Sequence, residues 1–509
     1  MSNPSGSSNS DPTPSIARRA VRGGLWVMLS SYGMVGVGFL ATVAMTRIIN
    51  DEIAFGVFAG ALFFAELLRV PPDLARALNH AYVNYQEPDE QALGTYLSLS
   101  LLTIGAGVVL PFLAVPLLLW LGFGQFVEYG DLVLQVSLVL AVAVAIESLG
   151  SVARMLLEKE LHFGSVGAMQ FVAFALGYIP AIWLALQGAG VWSLIAHVYT
   201  YYMLQLVGSL WLLWRMGHRV WQVRWRLDRA LARHFLRYSG TVGIGFLATI
   251  LLTRLDDFFI MTFVGVGVLG FYDRAYRTAQ WPSTLLAALT ARIAFFTYAR
   301  LQDDVARLQR SVALVVWLII MLALPLALAI FIAAPDIVLL LYGENWLPAA
   351  LFLRILVLFA VVRPLWENAS NLFIAIGKPR LTLVFMVAQV AVLAGAGLPL
   401  TLLYGALGTC AAVGLAFAVG MALIYRDIVR ELGINMLREL ALPLLVTLLT
   451  LAGALLLNRL TGLNEAPLLL RVMLKAGYAF VAFYGLMLLL QPRALRERVR
   501  LIWQAARGR

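Results

Sequence analysis

The chain has 509 residues, of which 61% are hydrophobic and 13% charged, with a mean hydropathy of +0.86. A soluble domain carries about 25% charged residues, so this composition excludes one and marks an all-α polytopic membrane protein. The net charge of +11 does not point to nucleic acid, because Lys and Arg collect in loops between apolar runs. The single cysteine, Cys410, excludes an intramolecular disulfide and a cysteine-based metal cluster.

Residues 1–22 open with a Ser, Asn, Pro and Gly-rich stretch and read as a disordered cytoplasmic tail. Arg18, Arg19 and Arg22 then precede the first apolar run, which is too long for a signal-peptide core and is read as a retained span. A helical span needs about 20 apolar residues. That rule places spans near 24–49, 53–78, 92–121, 130–153, 164–187, 190–214, 236–263, 266–297, 309–334, 350–376, 380–403, 406–425, 437–458 and 467–490, about fourteen in all. The loops between them alternate in charge. Arg215, Arg219, Arg224, Arg226, Arg229, Arg233 and Arg237 crowd one loop, and the C-terminal tail adds six more arginines. Loops on the other side are nearly free of Lys and Arg; the 335–349 loop offers only Asp336 and Glu344. Positive charge favours the cytoplasm, so both termini and the 215–235 linker are expected there.

One segment occurs twice. Residues 36–48 read GVGFLATVAMTRI and residues 243–255 read GIGFLATILLTRL. Phe55-Gly56-Val57-Phe58 follows the first copy and Leu269-Gly270-Phe271-Tyr272 the second, and each copy has proline further on (Pro71 and Pro72; Pro282). Leu157-Glu158-Lys159 before span five also matches Ile376-Gly377-Lys378 before span eleven. A repeated membrane unit is the sequence signature of a transporter built from two halves. The expected organisation is an N-lobe over 23–214, the linker 215–235, a C-lobe over 236–430, two further helices over 431–491 and a basic cytoplasmic tail over 492–509.

Charges also fall inside the spans. Glu66, Arg69, Asp73 and Arg76 share one face of span two. Arg47 ends span one, and Arg254, Asp256 and Asp257 lie in span seven. Asp273, Arg274 and Arg277 lie in span eight, and Arg363 and Glu367 form a stripe with Asn371 in span ten, with Asn368 beside it. A charge near the centre of a membrane helix costs a few kcal/mol, so such residues face protein or water. For any one pair, a structural lock and a functional role stand level. The matched set in two halves favours a hydrated interior, and surplus Arg there would attract phosphate or acidic sugar. The five histidines are scattered without metal-ligand spacing, and no phosphate-binding GxxxxGK[ST] occurs, so neither a metal nor a nucleotide cofactor is expected.

Thr46-Arg47, Phe55 to Phe58, Glu158-Lys159-Glu160-Leu161-His162-Phe163, Gly188 to Leu194, Asp256-Asp257, Leu269 to Ala275 and Gly377-Lys378-Pro379 form an ordered set. With the spans, they make the chain resemble the polysaccharide transporters of the multidrug/oligosaccharidyl-lipid/polysaccharide exporter superfamily, over roughly residues 18 to 490. It departs from many relatives at Asn50-Asp51-Glu52, where a Pro-containing turn is common. The resemblance implies a MATE-like fold of two six-helix lobes plus two C-terminal helices, with no catalytic residues. It implies a flippase for undecaprenyl-pyrophosphate-linked oligosaccharide in a bacterial cytoplasmic membrane, working by alternating access and coupled to H+ or Na+. Polymerase and chain-length proteins are the implied partners. On this reading Arg47, Arg69, Arg254, Arg274, Arg277 and Arg363 contact cargo, and Glu66, Asp256, Asp257, Asp273 and Glu367 serve the coupling ion. Alternatives are a lipid II or drug exporter on the same fold, a membrane-embedded polysaccharide polymerase or ligase, and a scramblase or scaffold.

Overall fold

In a bilayer every backbone N–H and C=O must be satisfied within the chain, and a lipid-exposed apolar segment does this as a helix. The computed structural model describes residues 13–67, 74, 77–79, 81–82, 85, 90–122, 127–160, 162–217, 227–284, 297–460, 465–493, 496–498 and 500, and every regular element among them is helical. In chain order these are α1 (Thr13–Ile49), α2 (Glu52–Leu67), α3 (Glu90–Trp120), α4 (Gly130–Lys159), α5 (Phe163–Leu186), α6 (Val191–Arg215) and α7 (Arg229–Phe263). They continue with α8 (Val266–Ala279), α9 (Val305–Leu341), α10 (Ala349–Ala360), α11 (Val362–Ala375), α12 (Pro379–Leu432), α13 (Met436–Leu460) and α14 (Leu468–Leu490). Among the described residues, eight helical segments are long and apolar enough to cross a membrane.

The described residues form two compact units, one within 1–51, 64–123 and 130–247, the other within 52–63, 124–129 and 248–509. In the first, α1 packs on α5, α5 on α6, and α4 on both α3 and α6. Small residues let these helices approach, as membrane packing requires. A Cβ at Gly33 would stand 2.7 Å from the Phe171 ring, and one at Gly208 2.7 Å from Met169 Sδ. A buried cluster of Leu78, Tyr82, Tyr96, Met155 and Phe235 joins α3, α4 and the start of α7.

In the second unit α9 packs against α10, α13 and α14. The long α12 is a hairpin: Gly405 takes φ 60, and the arms return on each other where the Thr401 and Thr409 hydroxyls share a hydrogen bond of 2.7 Å. Leu393 packs with Ala412 and Ala416 further along. This is the turn expected between 403 and 406.

The structure differs from four expectations. The tail expected over 1–22 is helical from Thr13, because Pro14 suits a first helical turn and good helix formers follow. The linker expected to run to residue 235 ends earlier. Asp228 caps α7 by accepting from the N–H groups of Ala230 and Leu231, and Phe235 is already buried. The loop expected over 335–349 is helical as far as Leu341, and Asp336 is buried inside α9. Span ten, read as one helix over 350–376, is two, α10 and α11, meeting at Val361 three residues before Pro364.

Candidate functional site

The second copy of the repeated segment carries the densest polar cluster of the second unit. Arg254 and Asp257 are three residues apart on α7, so they share a face, and Arg254 Nη1 donates to Asp257 Oδ2 at 3.2 Å. Asp256, on the neighbouring face, is buried and accepts from the Tyr272 hydroxyl of α8 at 2.6 Å. Its other oxygen, Oδ1, is buried with no hydrogen-bond partner among the described residues.

On α8, Asp273 is the hub. It accepts from Arg274 Nη2 at 2.5 Å and from Arg277 Nε at 2.9 Å. Arg274 also lies over the Phe55 ring of α2, 4.3 Å from its centroid. Arg277 is in electrostatic reach of Arg254 and Asp257, which joins the α7 and α8 groups. Arg363 on α11 donates to Glu367 Oε1 and to Gln280 Oε1, both at 3.2 Å, and Tyr298 donates to Asn368.

The geometry of α2 against α8 explains why these helices carry the matched glycines. A Cβ on Gly56 would lie 1.9 Å from the carbonyl oxygen of Val266, and one on Gly270 would lie 2.0 Å from that of Glu52. Val266 precedes Gly270 by one turn, and Glu52 precedes Gly56 by one turn. The contact is therefore reciprocal, each glycine resting on the opening turn of the other helix. Trp346 packs edge-on against Phe55 and Phe271 at this place, with ring centroids 5.4 and 5.7 Å away.

Of the expected site residues, Arg254, Asp256, Asp257, Asp273, Arg274 and Arg277 come together, and Arg363 with Glu367 forms a neighbouring pair. Among the expected residues of this second unit, four arginines (Arg254, Arg274, Arg277 and Arg363) stand beside four carboxylates (Asp256, Asp257, Asp273 and Glu367). Arg47, at the last turn of α1, is exposed, and Glu66 is half-buried on α2. Arg69, Asp73 and Arg76 lie outside the described residues.

Two polar clusters escaped the sequence reading. Arg154 of α4 binds Glu147, two turns back on its own helix, at 3.2 Å, and donates to Gln205 of α6. The spacing of seven within an apolar span was the available signal. Asp336 of α9 receives Lys475 at 2.6 Å and Arg471 at 3.0 Å from α14. Lys475 and Arg471 are one turn apart in a span otherwise apolar, a signal overlooked because α14 looked accessory.

The sequence family described as "Polysaccharide biosynthesis protein" matches residues 44–351. The chain is 23% identical over 361 residues to the lipopolysaccharide biosynthesis protein WzxC of Escherichia coli, covering 71% of each chain. It is 21% identical over 367 residues to the teichuronic acid biosynthesis protein TuaB of Bacillus subtilis, covering 72% of this chain and 73% of that one. Among solved structures, the inward closed conformation of the lipid II flippase MurJ superposes with a TM-score of 0.71 at 12% identity, over 93% of this chain and 100% of that one. An inward-facing multidrug resistance MATE family transporter of the MOP superfamily superposes at 0.54 with 18% identity, over 78% and 94%. The fold is that of these transporters.

Proposed function

The chain belongs to the polysaccharide biosynthesis protein family, and from that premise we propose that it is a flippase for a lipid-linked oligosaccharide. The observation that carries this reading is the pairing of the family match with a fold shared, along almost the whole chain, with a lipid II flippase. The cargo is an oligosaccharide on a polyprenyl pyrophosphate, carried from the cytoplasmic to the outer leaflet of a bacterial cytoplasmic membrane. The lobes are the helices α1 to α6 and α7 to α12, with both termini cytoplasmic.

The chemistry follows from moving a charged headgroup past an apolar barrier. Pyrophosphate must exchange water for donors of equal strength, and guanidinium groups supply paired charge-assisted hydrogen bonds. Arg254 and Arg277 suit this role because each is held by a carboxylate that can be exchanged for phosphate oxygens. Arg47, Arg69, Arg274 and Arg363 belong to the same group of candidates. Asp256 is the best candidate for the coupling ion: its Tyr272 bond holds one oxygen and leaves the other open to a proton or Na+. Asp257, Asp273, Glu66 and Glu367 complete the candidate set. Ion binding shifts a two-state equilibrium only through its differential affinity for the two states, so alternating access requires a carboxylate whose environment changes between them. Polymerase and chain-length proteins would take the product on the outer side.

The test is reconstitution. A fluorescent polyprenyl-pyrophosphate oligosaccharide is placed in proteoliposomes and the outward-accessible fraction is read with an impermeant quencher. Wild-type protein is expected to equilibrate the probe across the bilayer under an ion gradient, and Arg254→Gln and Arg277→Gln to slow it at least tenfold. Wild-type vesicles no faster than protein-free ones would reject the flippase reading. Normal rates in both variants would reject the arginine roles.

A further inference from the structure

The first unit contains a half-buried lysine, its ammonium covered, that none of the foregoing uses. Lys159 is the last residue of α4. Its ammonium is buried and has no hydrogen-bond acceptor among the described residues. It lies over the face of Tyr82, 3.9 Å from the ring centroid. Tyr82 in turn stacks on Tyr96 of α3 at 4.7 Å, and the Tyr96 hydroxyl donates to Asn79 Oδ1. One turn beyond Tyr82, Tyr85 meets His234 and Phe235 of α7 edge-on. Lys159 thus stands on an aromatic floor built from Tyr82, from Tyr96 of α3 and, through Tyr85, from the start of α7.

An ammonium carries three donors and no acceptor. The ring quadrupole attracts the charge but accepts none of those hydrogen bonds in full. Placement at a helix C-terminus favours a cation, yet that is achieved equally by an exposed one. The Arg154 guanidinium on the same helix shows the contrast, since it has both Glu147 and Gln205. A buried donor set without acceptors is costly unless a ligand brings the acceptors.

We propose that Lys159 is an anion-binding residue that takes pyrophosphate oxygens. The location rests on the transport reading, in which the end of α4 lies on the cytoplasmic side, where a lipid-linked pyrophosphate first meets the protein. The Tyr82 ring positions the ammonium from one side, and the phosphate oxygens would approach its N–H groups from the side away from the ring.

The experiment uses the full chain in nanodiscs of phosphatidylcholine, with inorganic pyrophosphate as the probe and calorimetry as the readout. Wild-type protein is expected to bind pyrophosphate more tightly than orthophosphate. Lys159→Gln is expected to weaken it at least tenfold, Lys159→Arg to retain most of it, and Arg307→Gln, an exposed control, to leave it unchanged. Lys159→Met, which keeps the stem, serves if the Gln variant does not fold. A polyprenyl pyrophosphate that displaces the free anion places the headgroup at this site, and one that does not restricts the site to soluble anions and overturns its role in transport. Equal binding by wild type and Lys159→Gln, or none by wild type, overturns the proposal. Translocation by the wild-type protein is read separately. Its presence without a pyrophosphate effect removes Lys159 and keeps the flippase reading. Its absence removes the flippase reading and leaves the anion site standing on binding alone.

Discussion

The two copies of the repeated segment have kept one feature and parted in another. Both retain a glycine one turn into the helix that follows, and those glycines, Gly56 and Gly270, meet each other's helix at backbone distance. The charges differ. In the second copy Arg254 has Asp257 three residues on, whereas the first copy has Asn50 three residues after Arg47. There the helix ends at Ile49 and Asn50 takes φ 44, a conformation Asn tolerates. The second copy runs on to Phe263 and turns at Gly265 instead. What was kept is a helix crossing, and what changed is whether the end of the preceding helix holds buried acids. The common part is scaffold, and the divergent part is where transport chemistry is to be sought.

The sharpest way to break this division is at Asp273. Asp273→Ala leaves the buried Arg274 without its acid, and loss of one partner from a buried pair costs about 3–5 kcal/mol. Thermal unfolding in detergent should show it as the largest loss among these variants; near-wild-type stability would mean that Arg274 is held by its Phe55 contact. Next come Gly56→Val and Gly270→Val. Each drives carbon into a carbonyl oxygen, and overpacking of this kind costs about 1–3 kcal/mol. Because the contact is reciprocal, the two losses should be similar. Tolerance at one position and not the other would show that the copies do not share the crossing.

Asp256→Asn separates chemistry from scaffold. The amide oxygen still accepts from Tyr272, so stability should change by less than about 1 kcal/mol, while ion dependence of transport should disappear. Retained ion dependence would move the coupling group to Asp257 or another carboxylate. The smallest effect belongs to Arg307→Gln. Its pair with Asp304 is solvent-exposed, and such pairs contribute about 0–1 kcal/mol. A larger loss there would show that these assays do not distinguish buried from exposed charge.

Legibility followed sequence distance. Apolar runs of about 20 residues announced the helices, and the interruption at Gly405 announced the α12 hairpin. Pairs one turn apart, such as Arg254 with Asp257 and Arg363 with Glu367, could be read from spacing because a helix fixes which residues share a face. Partners brought in from elsewhere could not. Tyr272 reaches Asp256 from another helix, and Gln280 reaches Arg363 across 83 residues. Asp336 was assigned to a loop because Pro335 and a charge resemble a boundary. Its cations lie 135 and 139 residues further on, and only with them present can the carboxylate stay inside α9. The matched glycines were visible as a repeat, but nothing in the repeat said that the copies touch each other.

The central claim is that this chain carries a lipid-linked glycan across the membrane. The most direct measurement is the leaflet distribution of that lipid in cells lacking the chain, read with a membrane-impermeant glycan probe on spheroplasts, with and without the wild-type gene restored. The account predicts that the lipid-linked oligosaccharide accumulates out of the probe's reach, that polymer is lost, and that the restored gene returns the glycan to the outer face. Unpolymerised glycan exposed on the outer face in the deletion strain would contradict it, because translocation would then proceed without this chain and the defect would lie in polymerisation.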